Sequence, residues 1–118
     1  MSRRRILVAE DEAMIGLVLE DFLDILGHAV AGPCATMAEC ERILAEREPV
    51  DAAILDFNLL DGAVWPLARS LEARGVPMLF ASGADPADVP GDLAHHPTLS
   101  KPYSLDALEQ ALGTLMLT

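Results

Sequence analysis

Basic residues are scarce in this chain. Lysine and arginine number 8 against 19 aspartates and glutamates, a formal net charge of -11 over 118 residues. A surface so poor in cations cannot neutralise a phosphate backbone, which excludes general nucleic-acid binding. The run Arg3-Arg4-Arg5 is too short to reverse this and reads as a solvated lead-in to the first strand. Cysteine is scarcer still. Cys34 and Cys40 have no second pair to complete a zinc site, so they read as small buried thiols in a reducing compartment. No segment approaches the roughly 18 apolar residues of a membrane span, and the basic N-terminus leads into a strand rather than a signal-peptide core. Internal repeats and low-complexity tracts are absent as well. The expectation is a soluble cytoplasmic protein that engages neither nucleic acid nor membrane.

Apolar residues, by contrast, make up 52% of the chain, enough to bury the core of one ordinary domain. Runs of strand length alternate with stretches of helical period. Residues 5–9 form the first strand. Met14, Leu17, Val18, Phe22 and Ile25 recur at helical spacing up to Leu26, and Gly27 ends that helix. A weaker strand covers 28–34, and Thr36 with Glu39 forms a capping box for a helix of about 36–47. Residues 51–57 are a buried strand, "LLDGA" is a turn, and 64–74 are helical. Residues 78–82 are a fourth strand and 98–100 a short fifth. Ser104 caps a last helix with apolar positions Leu105, Leu108, Leu112 and Leu115. Strand–helix alternation predicts a parallel sheet covered on both faces. The exception is residues 83–97, where Pro86, Pro90, Gly91 and Pro97 forbid more than a turn or two of helix. That segment is expected to be the most mobile part of the domain.

In an open parallel sheet, ligands bind beyond the carboxyl ends of the strands. Glu10 and Asp11 follow the first strand, Asp56 the third, Ser82 the fourth, and Lys101 with Pro102 the fifth. Three carboxylates at about 5 Å would repel by about 3 kcal/mol per pair at an effective dielectric near 20. A hard divalent cation with oxygen ligands relieves this, and Mg²⁺ is the usual one beside phosphate chemistry. An aspartate in such a cup can accept a phosphoryl group as an acyl phosphate, and Asp56, at the end of the central strand, is the candidate. Lys101 and Ser82 would then hold the transferred group. Singly, each residue has a plainer reading: Asp11 as a helix N-cap, Asp56 and Asp61 as turn residues, Ser82 as turn chemistry before Gly83, Lys101 as a solvated charge.

Together, "ILVAEDE", "AAILDFNL", "FASG" and "LSKPYSLDAL" resemble the receiver domain of two-component response regulators, over essentially the whole chain. The resemblance implies a flavodoxin-like (βα)5 three-layer α/β sandwich, with parallel strand order 2-1-3-4-5 and, here, a short or irregular fourth helix. It implies Asp56 as phosphoacceptor, Glu10, Asp11, Asp56 and the backbone carbonyl of Asn58 as Mg²⁺ ligands, and Ser82 and Lys101 as the phosphate-binding switch pair. The phosphoryl donor would be a sensor histidine kinase or a phosphotransfer protein. A downstream protein would read the face made by the fourth helix region, the fifth strand and the fifth helix. "PMLFASGAD" is similar to the "FATG" pattern of a single-domain subgroup from alphaproteobacteria. Residues 1–118 are accordingly expected to be one receiver domain without an output domain.

Three departures stand out. Thr98 occupies the position where the family usually has a switching aromatic, and Tyr103 lies elsewhere in the pattern and is not assigned that role. The loop "DFNLLDG" lacks the family's frequent proline, and the fourth helix region is proline-broken. Two other readings compete with it. An Asp-nucleophile, Mg²⁺-dependent phosphohydrolase of the haloacid-dehalogenase type would carry Asp-x-Asp, but here Asn58 stands at the second position. A phosphorylation-independent interaction module is left open by the missing aromatic and opposed by the intact Asp56, Lys101 and acidic pair. A receiver would not be an enzyme in the turnover sense, although its acyl phosphate hydrolyses slowly. His28, His95 and His96 invite a metal reading, but a solvated pair is the simpler one for His95-His96. Trp65-Pro66 starts the third helix and could report site occupancy. Met14, Met37, Met78 and Met116 read as core filler or surface.

Overall fold

A computed structural model describes residues 4–83 and 85–115; Arg3 and Met116 lie outside the described residues. The elements run β1 (Arg5–Ala9), α1 (Ala13–Ile25), β2 (Ala29–Cys34), α2 (Met37–Leu44), β3 (Ala52–Leu55), β4 (Asn58–Leu59), β5 (Gly62–Ala63), α3 (Trp65–Ala73), β6 (Met78–Ser82), β7 (Thr98–Ser100) and α4 (Leu105–Leu115). The main sheet is parallel with order β2-β1-β3-β6-β7. This is the predicted 2-1-3-4-5 order, because β4 and β5, among the described residues, pair only with each other as a small antiparallel hairpin.

Side chains alternate across each strand and so build two cores. Leu7, Ala9, Ala53, Leu55 and Phe80 face one way, against Leu67 and Leu71 of α3 and Cys40 of α2. Ile6, Val8, Ala52, Ile54, Leu79 and Ala81 face the other way, against Leu19 and Leu23 of α1 and Leu108 and Leu112 of α4. The central strands are therefore apolar on both faces, and the domain has three layers.

Several local expectations change. In α1 the apolar positions at helical spacing are largely the outward ones: Met14, Leu17, Val18 and Ile25 are exposed, and Gly16, Leu19 and Leu23 are buried. The helix is apolar on more than one side, so period alone does not select the inner face. Gly27, in the left-handed region at φ +85°, does end α1, with the His28 N–H reaching back to Leu23. The capping box at α2 is half formed. Thr36 Oγ1 accepts from the Glu39 N–H at 3.1 Å, while the Glu39 carboxylate turns to the Thr36 hydroxyl at 3.4 Å. A second cap comes from outside: Asp61, in the β4–β5 turn, accepts from the Met37 and Ala38 N–H groups at 2.8 and 3.2 Å. The "LLDGA" turn is thus part of a hairpin that caps a distant helix. Arg5 is no solvated lead-in. It opens β1, donates to the Glu48 carbonyl at 2.7 Å and pairs with Glu46 at 3.2 Å.

Where a fourth helix would lie, the chain makes two 3₁₀ turns, Pro86–Asp88 and Gly91–Leu93, joined through Pro90. Asp85 caps the first turn, accepting from the Ala87 N–H at 2.9 Å. Leu93 is fully buried and pins the segment to the core. Cys34 and Cys40 are free, buried thiols. Among the described residues, no helix is long and apolar enough to cross a membrane.

Candidate functional site

The sheet register assembles the site. Ala9 pairs with Leu55 in the β1–β3 ladder, and the Asp56 N–H continues it to the Ala9 carbonyl at 2.9 Å. On the other side, the Glu10 N–H donates to the Cys34 carbonyl at 2.9 Å. Glu10 and Asp56 therefore leave adjacent strands side by side. Ser82 ends β6 opposite Ser100, and the Lys101 N–H donates to the Ser82 carbonyl at 3.1 Å. That bond turns the Lys101 side chain back over the rim.

Lys101 Nζ lies 2.6 Å from Glu10 Oε1 and 3.2 Å from Asp56 Oδ2. It is no solvated charge, since only 12% of its side chain is exposed. Burial works against its positive charge, but the hydrogen bond to Glu10 and the charges of Asp56 and Glu10 outweigh it, so its pKa is raised. Glu10 is buried. Burial lifts its carboxyl above the ordinary value, although Lys101 and the Glu12 N–H, 3.2 Å from Oε2, pull it down. Asp56 Oδ1 accepts from the Phe57 N–H at 2.7 Å. Asp11 is not the N-cap of α1. That position belongs to Glu12, whose side chain makes no capping bond, and Asp11 lines the site cavity instead.

This cavity, of about 740 Å³, is bordered by Asp11, Asp56, Asn58, Ser82, Lys101 and Tyr103 among others. Carboxylate oxygens of Glu10, Asp11, Glu12 and Asp56 can all lie within 4.8 Å of one another. An oxygen-only donor set of this density suits a hard cation of the Mg²⁺ class. The structure thus brings together Glu10, Asp11, Asp56, Asn58, Ser82 and Lys101. Thr98 is half-buried in β7, paired with Phe80.

Two residues join the site that sequence reasoning did not assign to it. Glu12 completes the acidic group, and its signal was the "EDE" run itself. Tyr103 lines the cavity with its hydroxyl buried and, among the described residues, without a hydrogen-bond partner. Burial and the charges of Glu10 and Asp56 hold its phenol well above the usual range. Trp65 packs on Phe57, ring centroids 5.2 Å apart, and so sits one residue's contact from Asp56.

A parallel, doubly covered sheet with an acidic cup and a lysine at its carboxyl rim defines a flavodoxin-like α/β domain of receiver type. Comparison with known proteins narrows the class. The chain is similar to SdrG from Sphingomonas melonis Fr1, 37% identical over the full length of both chains, with a TM-score of 0.83. It is similar to the BeF3-activated conformation of SdrG, from Pseudomonas melonis Fr1, 37% identical over 98% of this chain and 99% of that one, with a TM-score of 0.81. Among curated proteins it matches the phyllosphere-induced regulator PhyR of Methylorubrum extorquens, 35% identical over 80 residues, which are 64% of this chain. The match spans 29% of that regulator's length. No family model matches. The chain belongs to the receiver domains of response regulators.

Proposed function

We propose that this chain is a phosphoacceptor switch with Asp56 as the acceptor. A carboxylate oxygen of Asp56 attacks the phosphorus of a phosphohistidine on a sensor histidine kinase or phosphotransfer protein. The P–N bond breaks, its electrons return to the imidazole, and an acyl phosphate forms on Asp56. The observation that carries this reading is the lysine bridge: one ammonium, largely shielded from water, held between Glu10 and Asp56 at the rim of the acidic cup. Mg²⁺, held by Glu10, Asp11, Asp56 and the Asn58 carbonyl, would supply charge neutralisation for the incoming phosphoryl group.

The protein's own groups do the rest. Phosphorylation removes the Asp56 carboxylate charge and adds up to two negative charges further out. Lys101 gains a stronger partner there, and the Ser82 hydroxyl can donate to a phosphoryl oxygen. Both residues lead directly into the segments that flank residues 83–97: Ser82 ends β6 before it, and Lys101 follows β7 after it. Their movement biases that segment, β7 and α4 between two arrangements, and a protein partner reads the result. A near-complete shift, from 1:99 to 99:1, requires about 5.5 kcal/mol of differential interaction. Self-hydrolysis returns the switch to rest, without turnover of a substrate.

Titration with beryllofluoride and Mg²⁺, followed by amide NMR and Trp65 fluorescence, tests the reading. Saturable shifts around Asp56, Ser82 and Lys101 that extend into residues 83–97 are expected, and they vanish in Asp56→Ala. Absence of binding by the wild type would favour the phosphorylation-independent module.

A further inference from the structure

We propose that Glu72, His95 and His96 form a second metal site, built for a borderline divalent cation of the Zn²⁺ type. Glu72 lies on α3, and the two histidines lie in the turn between the second 3₁₀ turn and β7. Both imidazoles converge on one carboxylate oxygen: Nε2 of His95 is 3.1 Å and Nε2 of His96 2.9 Å from Glu72 Oε1. The two rings are 4.0 Å apart, centroid to centroid, and tilted by 39°. Ligand atoms of all three residues lie within 4.8 Å of one another.

Adjacent residues of an extended chain point to opposite sides. Here the turn brings His95 and His96 onto the same side, so the backbone itself collects two nitrogen donors. The spacing suits a tetrahedral ion. At Zn–ligand lengths of about 2.0–2.1 Å, tetrahedral ligands lie about 3.3 Å apart, close to the N···O separations seen here. Two imidazoles and one carboxylate, with further positions open to water, form a donor set that zinc accepts. Mg²⁺, which prefers oxygen, does not favour it. The acidic cup beside Asp56 has the opposite, oxygen-only chemistry, so the two sites select different ions.

The arrangement is held before any ion arrives. His96 is 13% exposed at its side chain and packs edge-on against Phe80, with ring centroids 6.3 Å apart. Arg69, one turn before Glu72 on α3, grips Asp92 through Nε at 2.9 Å and Nη2 at 3.2 Å. That ion pair fixes the approach of α3 to the histidine turn independently of the three ligands. His95 is 64% exposed and leaves the outer side open to water or to a partner's ligand. An ion here would fasten the two 3₁₀ turns before β7 to α3. The inference is independent of the phosphoacceptor reading, because none of its residues borders the Asp56 cavity.

The test is Zn²⁺ titration of the full chain at neutral pH by calorimetry, with Mg²⁺ in excess to guard the acidic cup. Imidazole ¹⁵N NMR is recorded in parallel. The expected result is one equivalent bound, with the Nε2 resonances of His95 and His96 shifted together and that of His28 unmoved. Affinity should fall at least tenfold in His95→Ala and in Glu72→Gln, both at exposed positions where folding is retained. Zn²⁺ binding of equal affinity and stoichiometry in wild type and both variants would overturn the proposal. So would imidazole resonances that do not respond to Zn²⁺, which would leave only a hydrogen-bonded histidine clasp on Glu72.

Discussion

Among the described residues, Lys101 is the cation that Glu10 and Asp56 share, and two carboxylates around one ammonium leave an excess of negative charge. Burial of Glu10 adds to the imbalance, and its carboxyl is raised above the ordinary value of 4.5. A raised folded-state value means that the folded protein binds this proton more tightly than the unfolded chain does. The stability linked to it is fully present below about pH 4.5 and is lost as pH rises through the raised value. In metal-free buffer, wild type should therefore lose stability relative to Glu10→Gln as pH rises from about 4.5 towards neutrality, as urea unfolding at a series of pH values will measure. Tyr103 offers a second check. Its buried hydroxyl has no partner among the described residues, and an unsatisfied buried polar group costs about 1 kcal/mol or more. Tyr103→Phe should thus stabilise the metal-free protein by about 1 kcal/mol in the same experiment. Asp56, Lys101 and the acidic pair were legible in the sequence because each directly follows a segment readable as a strand, and strand ends in parallel sheets have a known side. Tyr103 was not. It follows a proline after the last strand, and no period or cap fixes where the chain turns next.

The elements repeat this pattern of local signals read and distant ones missed. Strands β1, β6 and β7 fall on the expected residues 5–9, 78–82 and 98–100, and Ser104 caps α4 by accepting from the Ala107 N–H at 3.0 Å. The inner face of α1 and the second cap of α2 were hidden, because both depend on partners far along the chain. Asp61 sits 24 residues from Met37 and still accepts its N–H and that of Ala38. Those two backbone hydrogen bonds hold the Asp61 carboxyl below the usual carboxylate range. Its contribution is accordingly present above the unfolded value and is lost as pH falls through the folded one. Asp61→Ala should speed amide hydrogen exchange at Met37 and Ala38 while exchange in β3 stays as in wild type. Unchanged exchange at those two amides would remove Asp61 from the helix cap. The proline-broken segment 83–97 was legible as a break in the helical pattern. Its two 3₁₀ turns and the Glu72–histidine contact emerge only when α3 is packed beside it.

Across the molecule as a whole, a net charge of -11 acts on a small domain whose candidate-site rim is itself acidic. Self-repulsion of this size opposes compactness and is screened by salt. The melting temperature should rise with NaCl in metal-free buffer, and a flat or falling response would show that repulsion is not a limiting term. The same excess of acid is the electrostatic setting in which the proposed Mg²⁺ would bind at the rim. The fold was legible because alternation of strand and helix admits few arrangements, and the register of β1, β3, β6 and β7 then brings Glu10, Asp56, Ser82 and Lys101 together. The central claim is that Asp56 takes a phosphoryl group. Intact mass after incubation with Mg²⁺ and acetyl phosphate tests it most directly, with Asp56→Ala and a chelated sample alongside. The account predicts one added phosphoryl group on wild type alone; an adduct of equal yield on Asp56→Ala would contradict it.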